Sequence, residues 1–273
     1  MKIVVCIKQI PDTTDIKWTE NNTIQREGVE SIINPYDVYA LETALEIKKQ
    51  IANTEITVLT MGPAQATDML KKALAIGCDN AILVSDRKFA GADTYATSKT
   101  LSNAIKKQVP DFDLIICGQF ALDGDTAQTG PGIASKLEIV QATFIKQLTE
   151  INENFLIAKR EIEEGIEITK IQLPALICVL QQEKEPTRAL IDGIIKAENT
   201  EIVTLSANDI DVLDEEVGIK GSPTYVSRAF RPDKTRQTCQ NLTSVDELFN
   251  KLNELGVNKA VDEVNEVKEV ENE

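Results

Sequence analysis

The chain contains no histidine. That absence excludes imidazole acid–base catalysis, serine–histidine triads and histidine-ligated metals. Cysteine is sparse: five residues, at positions 6, 78, 117, 178 and 239, with no Cys-x-x-Cys pair. Neither a disulfide framework nor an iron–sulfur site is suggested. Cys6, Cys117 and Cys178 lie in or beside apolar runs and read as small core residues. No Gly-x-Gly-x-x-Gly, Walker or Ser-Gly-Gly phosphate loop is present. No apolar stretch is long enough to span a bilayer, and Met1-Lys2 leads straight into a strand-like run rather than a signal peptide. A cytoplasmic location without a membrane span is expected. Positive charge is in deficit: 29 Lys and Arg against 44 Asp and Glu leave −15. Such a surface repels phosphate backbones, so nucleic acid is not an expected partner. No catalytic residue and no metal-ligand set emerges, and any redox chemistry has to come from a bound cofactor.

What is present has the pattern of an α/β protein. With 273 residues and 42% hydrophobic content, the chain can bury one core with appendages. Residues 2–7, 56–61, 81–84 and 113–117 are apolar runs of strand length, suited to parallel strands covered on both faces. Helical patterns separate them. Asn34 reads as an N-cap, Pro35 as the first helical residue and Asp37 as the acidic residue of the first turn. Val38, Leu41, Leu45 and Ala52 form that helix's apolar stripe. Gly62-Pro63 leads into a second helix, with Met69, Leu70, Ala73 and Leu74 inward and Gly77 as its stop. A third helix is expected around 94–108. The alternation predicts a doubly wound, Rossmann-like parallel sheet with right-handed crossovers. Residues 16–33 read as an excursion with a turn at Asn21-Asn22.

Ligands of such sheets sit at the carboxyl ends of the strands. Cys6-Ile7-Lys8, Met61-Gly62 and Gly118-Gln119 all fall there, beside Asn34. From Gly118 the chain runs through Gln119-Phe120-Ala121-Leu122-Asp123-Gly124-Asp125-Thr126-Ala127-Gln128-Thr129-Gly130-Pro131 into a helix. A strand, a loop rich in Gly, Asp and Thr, and a helix N-terminus form a phosphate-holding arrangement. Gly124, Gly130 and Gly132 permit close backbone approach, and Thr126, Gln128 and Thr129 supply donors. Asp123 and Asp125 would repel a phosphate unless turned to a ribose or to their own turn. On composition alone, a tight Asp-Gly turn without a ligand explains the segment equally well.

From about residue 140 the pattern changes. Residues 155–158 and 166–169, around Glu163-Glu164-Gly165, read as a β-hairpin, and 175–180 as a further strand. Residues 207–241 lack periodicity, whereas Ser244-Val245-Asp246-Glu247 is a capping box opening a helix with Leu248, Leu252 and Leu255 on one face. Residues 1–206 are expected to form the nucleotide-binding domain. Residues 207–256 read as an extended C-terminal arm that packs on another surface or folds back on its own domain. Residues 257–273 read as a solvated acidic tail.

Four segments together resemble the β subunit of electron-transfer flavoproteins. Residues 118–131 are similar to its nucleotide loop, and Val4-Val5-Cys6-Ile7-Lys8-Gln9-Ile10-Pro11-Asp12-Thr13 to its first strand and loop. Asn34-Pro35-Tyr36-Asp37 matches its Asn-Pro-aromatic-Asp helix start, and Gly218-Ile219-Lys220-Gly221-Ser222-Pro223-Thr224 its C-terminal arm. The resemblance implies an adenine-nucleotide-hydrolase-like fold in a heterodimer with an α subunit. It implies that Cys6, Asn34, Asp37 and Met61 line an adenosine, and that Gln119, Asp123, Gly124, Asp125, Thr126, Ala127, Gln128, Thr129 and Gly130 surround ribose and phosphates. In simple electron carriers of this family the nucleotide is AMP. In the electron-bifurcating branch it is a second FAD, which takes hydride from NADH and feeds ferredoxin and, through the α subunit, a flavin-dependent dehydrogenase. Simple carriers tend to have Asp-Asp-Asp here and an Asn before the Gln. Asp123-Gly124-Asp125 and Ala127-Gln128 instead leave room for a pyrophosphate, and Pro131 also resembles the bifurcating pattern, so FAD is expected.

The family's partner-docking loop, expected at 185–197, carries an anchoring Leu followed by Pro and a Lys-rich stretch. Here Ile191 stands at the anchor with Leu190 beside it, Asp192 replaces the Pro, and Glu198 interrupts the basic run. A lactate-type dehydrogenase is therefore an option beside the family's acyl-CoA or enoyl-CoA oxidoreductases. The competing class is a universal-stress-like nucleotide-binding regulator. It shares the sheet but accounts for neither hairpin, docking loop nor arm.

Overall fold

The computed structural model describes residues 1–12, 31–227 and 240–257. The expected turn at Asn21-Asn22 and the tail from 258 lie outside them. The chain divides into two compact units, 1–229 and 230–273.

In the first unit, β1 (Lys2–Cys6) leads through the short strands β2 (Gln9–Pro11) and β3 (Ser31–Ile33) to α1 (Pro35–Gln50) and β4 (Glu55–Met61). Then follow α2 (Thr67–Ile76), β5 (Asn80–Val84), α3 (Thr94–Gln108), β6 (Leu114–Gly118) and α4 (Thr129–Leu137). The remainder comprises β7 (Val140–Ile151), β8 (Phe155–Ile162), β9 (Gly165–Gln172), β10 (Ala175–Val179), α5 (Ile191–Asn199) and β11 (Ile202–Leu205). Nine strands form one sheet in the order β11-β5-β4-β1-β6-β10-β7-β8-β9, parallel from β11 to β7 and antiparallel from β7 to β9.

The apolar runs alternate between two cores. Ile3, Val5, Ile56, Val58, Leu114 and Ile116 pack with α1 and α2, while Val4, Cys6, Leu59, Ile115 and Cys117 pack with α3 and α4. Helices on both faces explain the continuous hydrophobicity of the strands. From β1 the chain winds outward to β4 and β5, then returns through α3 to β6 on the other side of β1. The winding reverses between β1 and β6, and the strand ends diverge there to leave a crevice.

The expected hairpin is β8–β9, joined through Glu163-Glu164. A third member, β7, was not anticipated. Phe144 has φ +58°, and the β7–β8 register shifts twice, so the alternation that identifies a strand is broken. In α1 the buried residues are Asp37, Ala40, Leu41, Glu42, Thr43, Ala44, Leu45 and Ile47; Val38 is only half-buried, and Ala52 lies beyond the helix end at Gln50. Residues 207–221 pack on the α3 side, where Ala207, Ile210 and Val217 are buried. In the second unit, α6 (Val245–Glu254) begins at Ser244, whose side chain accepts from Glu247 N–H.

Candidate functional site

Two buried side chains at the start of α1 organise the crevice. Asp37 accepts from Lys8 N–H (2.7 Å), just beyond β1, and from Gly118 N–H (3.2 Å), at the end of β6, one backbone donor from each side of the reversal. Burial pushes its carboxyl up to about 7, against the opposing pull of the Lys8 N–H and the Asn34 side chain. Asn34 precedes α1 in the N-cap position but makes no side-chain cap. Its amide instead donates to Phe120 C=O (2.7 Å) and accepts from Leu122 N–H (3.2 Å), while its backbone N–H donates to Lys8 C=O (2.9 Å). One residue therefore joins β1, α1 and the 119–130 loop.

The loop's entry is fixed in the same way. Gln119, 2% exposed, accepts from Phe144 N–H at 2.6 Å, which satisfies the donor freed by the left-handed turn in β7. Phe120 packs edge-on between Tyr36 and Phe144, at ring distances of 5.4 and 5.9 Å. Gly118 cannot be replaced here: a Cβ would stand 2.4 Å from Asp37 Oδ1 and 2.7 Å from the Tyr36 backbone.

Asp123 is paired with Lys8 at 2.5 Å, its side chain only 4% exposed. The ion pair compensates that carboxylate's charge. Beyond it the chain opens. A Cβ on Gly124 would meet nothing within 4 Å. Asp125 and Ala127 both adopt left-handed backbone, at φ +50° and +55°. Non-glycine residues hold that conformation only where the surroundings enforce it, and here the Gly124 and Asp125 N–H groups both donate to Ala121 C=O (3.0 and 2.7 Å). Thr126 and Gln128 are exposed, and Gln128 accepts from Thr94 Oγ1 at 3.1 Å. Thr129 and Gly130 form the first turn of α4, whose N-terminal dipole favours an anion.

Gly130 lies against a row of three thiols. Cys6, Cys117 and Cys178 occupy matching register on β1, β6 and β10, and a Cβ at 130 would stand 2.5 Å from Cys178 Sγ. Hydrogen bonding from Cys178 and Cys6, with burial, pushes the Cys117 thiol up. Met61 packs, half-buried, on the α3–α4 side. Of the anticipated residues, the structure thus joins Asn34, Asp37, Gln119 and Asp123 through hydrogen bonds and Lys8. Cys6 sits beside Cys117 in the thiol row, while Cys178 and Cys117 lie against Gly130, and residues 124–129 lie along the rim.

Lys8 was expected at this strand end but not as a site residue, and Asp93 was not anticipated. Asp93 caps α3 by accepting from Ala96 N–H (3.0 Å), and it also accepts from Thr224 N–H (3.0 Å) and Oγ1 (2.7 Å). This holds residues 222–224 beside Thr94 and the loop. The signal available in sequence was Asp93 as an N-cap; its second partner is 131 residues away. On the opposite side, Leu190 and Ile191 are each 77% exposed at the start of α5.

The model of the electron transfer flavoprotein domain matches residues 21–210. The electron transfer flavoprotein subunit beta of Thermoanaerobacterium thermosaccharolyticum is 45% identical over 238 residues, covering 86% of this chain and 90% of the relative. Subunit CarD of the caffeyl-CoA reductase–Etf complex of Acetobacterium woodii is 44% identical, covering 85% and 88%. Protein FixA of Sinorhizobium fredii is 43% identical, covering 90% and 88%.

Proposed function

Because the chain belongs to the electron transfer flavoprotein family, as a β subunit, we propose that its 119–130 loop holds FAD that exchanges hydride with NAD(H). With an α subunit it would pass electrons to ferredoxin and, through the α-subunit flavin, to a partner dehydrogenase. The electron-transfer role comes with the family; the cofactor and the branch are our reading. The observation that carries it is the open space at Gly124, followed by left-handed Asp125 and Ala127 before the α4 N-terminus. That open space supports the reading of a pyrophosphate there rather than a single phosphate.

When bound, the flavin supplies hydride acceptance and single-electron release. This chain's residues bind and orient. Lys8 neutralises Asp123, so this one of the loop's two carboxylates does not oppose the phosphates. Asn34 and Asp37 hold the loop's entry against β1 and α1. Thr126, Gln128 and the first turn of α4 would hold ribose and phosphate oxygens. Cys6 and Met61 would border the adenosine, with the isoalloxazine reaching towards the α subunit.

Leu190 and Ile191 would dock the dehydrogenase. One relative is named as part of a caffeyl-CoA reductase complex, which supports a CoA-linked partner, while Asp192 in place of Pro leaves a lactate-type dehydrogenase open. A nucleotide-sensing regulator is displaced by the family membership. The test is a flavin and adenine-nucleotide count on the co-purified heterodimer, then NADH oxidation with and without ferredoxin. Two flavins and ferredoxin-dependent oxidation are expected. One flavin with one AMP would make the protein a simple carrier and overturn the reading.

A further inference from the structure

We infer that Glu42 is the positioning residue of the docking loop, an inference that rests on reading residues 185–197 as that loop. Glu42 lies in the middle of α1 and is 1% exposed. Both carboxylate oxygens are taken by one loop residue: Thr187 N–H donates to Oε1 (2.6 Å) and Thr187 Oγ1 to Oε2 (2.8 Å). Two neighbouring contacts follow the same path. Gln182 Nε2 donates to Thr43 Oγ1 at 3.1 Å, and Lys184 pairs with Glu46.

A carboxylate buried in a helix is costly unless its hydrogen bonds are complete, and an apolar residue of similar size commonly serves stability as well or better. Glu42 therefore contributes where the loop lies rather than how firmly α1 packs. The loop is fixed again after the exposed pair. Gly193 approaches α2 so closely that a Cβ would stand 2.2 Å from Ala75 C=O, and Lys71 pairs with Glu198 at 2.5 Å. Residues 188–192 thus span two fixed points on two helices, with Leu190 and Ile191 held outward between them. An apolar anchor already held in place avoids the ordering cost that a mobile loop meets on binding.

The test uses the co-purified heterodimer and its flavin dehydrogenase, with Glu42→Ala, Glu42→Gln and Thr187→Val. The Thr187 variant leaves α1 unaltered and removes one of the two hydrogen bonds to Glu42, so it reports even if Glu42→Ala fails to fold. Tryptic cleavage after Arg188 should accelerate roughly tenfold in Glu42→Ala and less in Thr187→Val. Glu42→Gln retains an acceptor for the Thr187 N–H and should restore most of the protection. In dye-coupled turnover, KM for the dehydrogenase should rise roughly five- to tenfold, with kcat and direct ferricyanide reduction unchanged. Unchanged cleavage overturns the role of Glu42 and leaves the docking loop standing. Faster cleavage with an unchanged KM overturns the docking role itself, and the inference with it.

Discussion

Asp37 is 5% exposed, with one backbone N–H on each carboxylate oxygen. Burial raises its carboxyl to about 7, whereas an unfolded Asp titrates near ~3.9. The folded protein thus binds this proton more tightly than the unfolded chain. The associated stability is full below the unfolded value and is lost as pH rises through the folded one. Relative to the non-titrating Asp37→Asn variant, the parent should lose on the order of 2–4 kcal/mol from about pH 4 to about pH 7 and little more above that. Urea unfolding at each pH checks this; parallel profiles would mean the two N–H donors keep Asp37 ionised throughout. At Gly124 the expectation is functional. Gly124→Glu enters open space, so its stability should match the parent within about 0.5 kcal/mol. Its carboxylate would face the phosphates, so the purified heterodimer should lack the nucleotide, while Thr126→Ala only loosens it. Chromatographic nucleotide content against melting temperature separates the two effects. Asn34 and Asp37 were recognisable by type and place in the sequence, but as cap and capping acid. Their partners lie 29 to 88 residues away, and local pattern carries no sign of such distant donors and acceptors.

The strands of the parallel sheet were readable because burial on both faces makes them continuously apolar. The weaker elements were not. β7 hides behind its left-handed Phe144, and β11 is four residues at a sheet edge. The seating of α5 was also invisible, since nothing local marks Gly193 as a contact glycine. Gly193→Ala would drive a methyl into Ala75 C=O, 2.2 Å away. Overpacking of this kind costs about 1–3 kcal/mol. Hydrogen exchange should quicken over 191–199 and leave 35–50 unchanged. Equal exchange in both segments would show that α5 shifts without loss.

The C-terminal boundary belongs to the scale of the whole molecule. The arm was expected from residue 207, but Ala207, Ile210 and Val217 are buried on the α3 side, and Gly218 fits so tightly that a Cβ would stand within the contact distance of Lys88 C=O. A chain ending at 206 should therefore lose stability, whereas one ending at 227 should keep its sheet. If α6, with Leu248 and Phe249 47% and 58% exposed, clasps the α subunit, the 227 truncation should no longer co-purify with it. Retained co-purification would assign the clasp elsewhere. Among the described residues, no helix is long and apolar enough to cross a membrane.

The row of Cys6, Cys117 and Cys178 also gives the protein an internal clock. Together with Cys78, buried in the connection between α2 and β5, whose thiol burial pushes up to about 12, these sulfurs are shielded from solvent. A thiol reagent can reach them only when the structure opens, so in a Cys239→Ser background, with reagent concentrated enough to outpace reclosing, the rate of labelling approaches the rate of opening. Adding nucleotide, or the α subunit, and watching that rate fall would measure how firmly each closes the molecule, with no probe attached and no spectral change required.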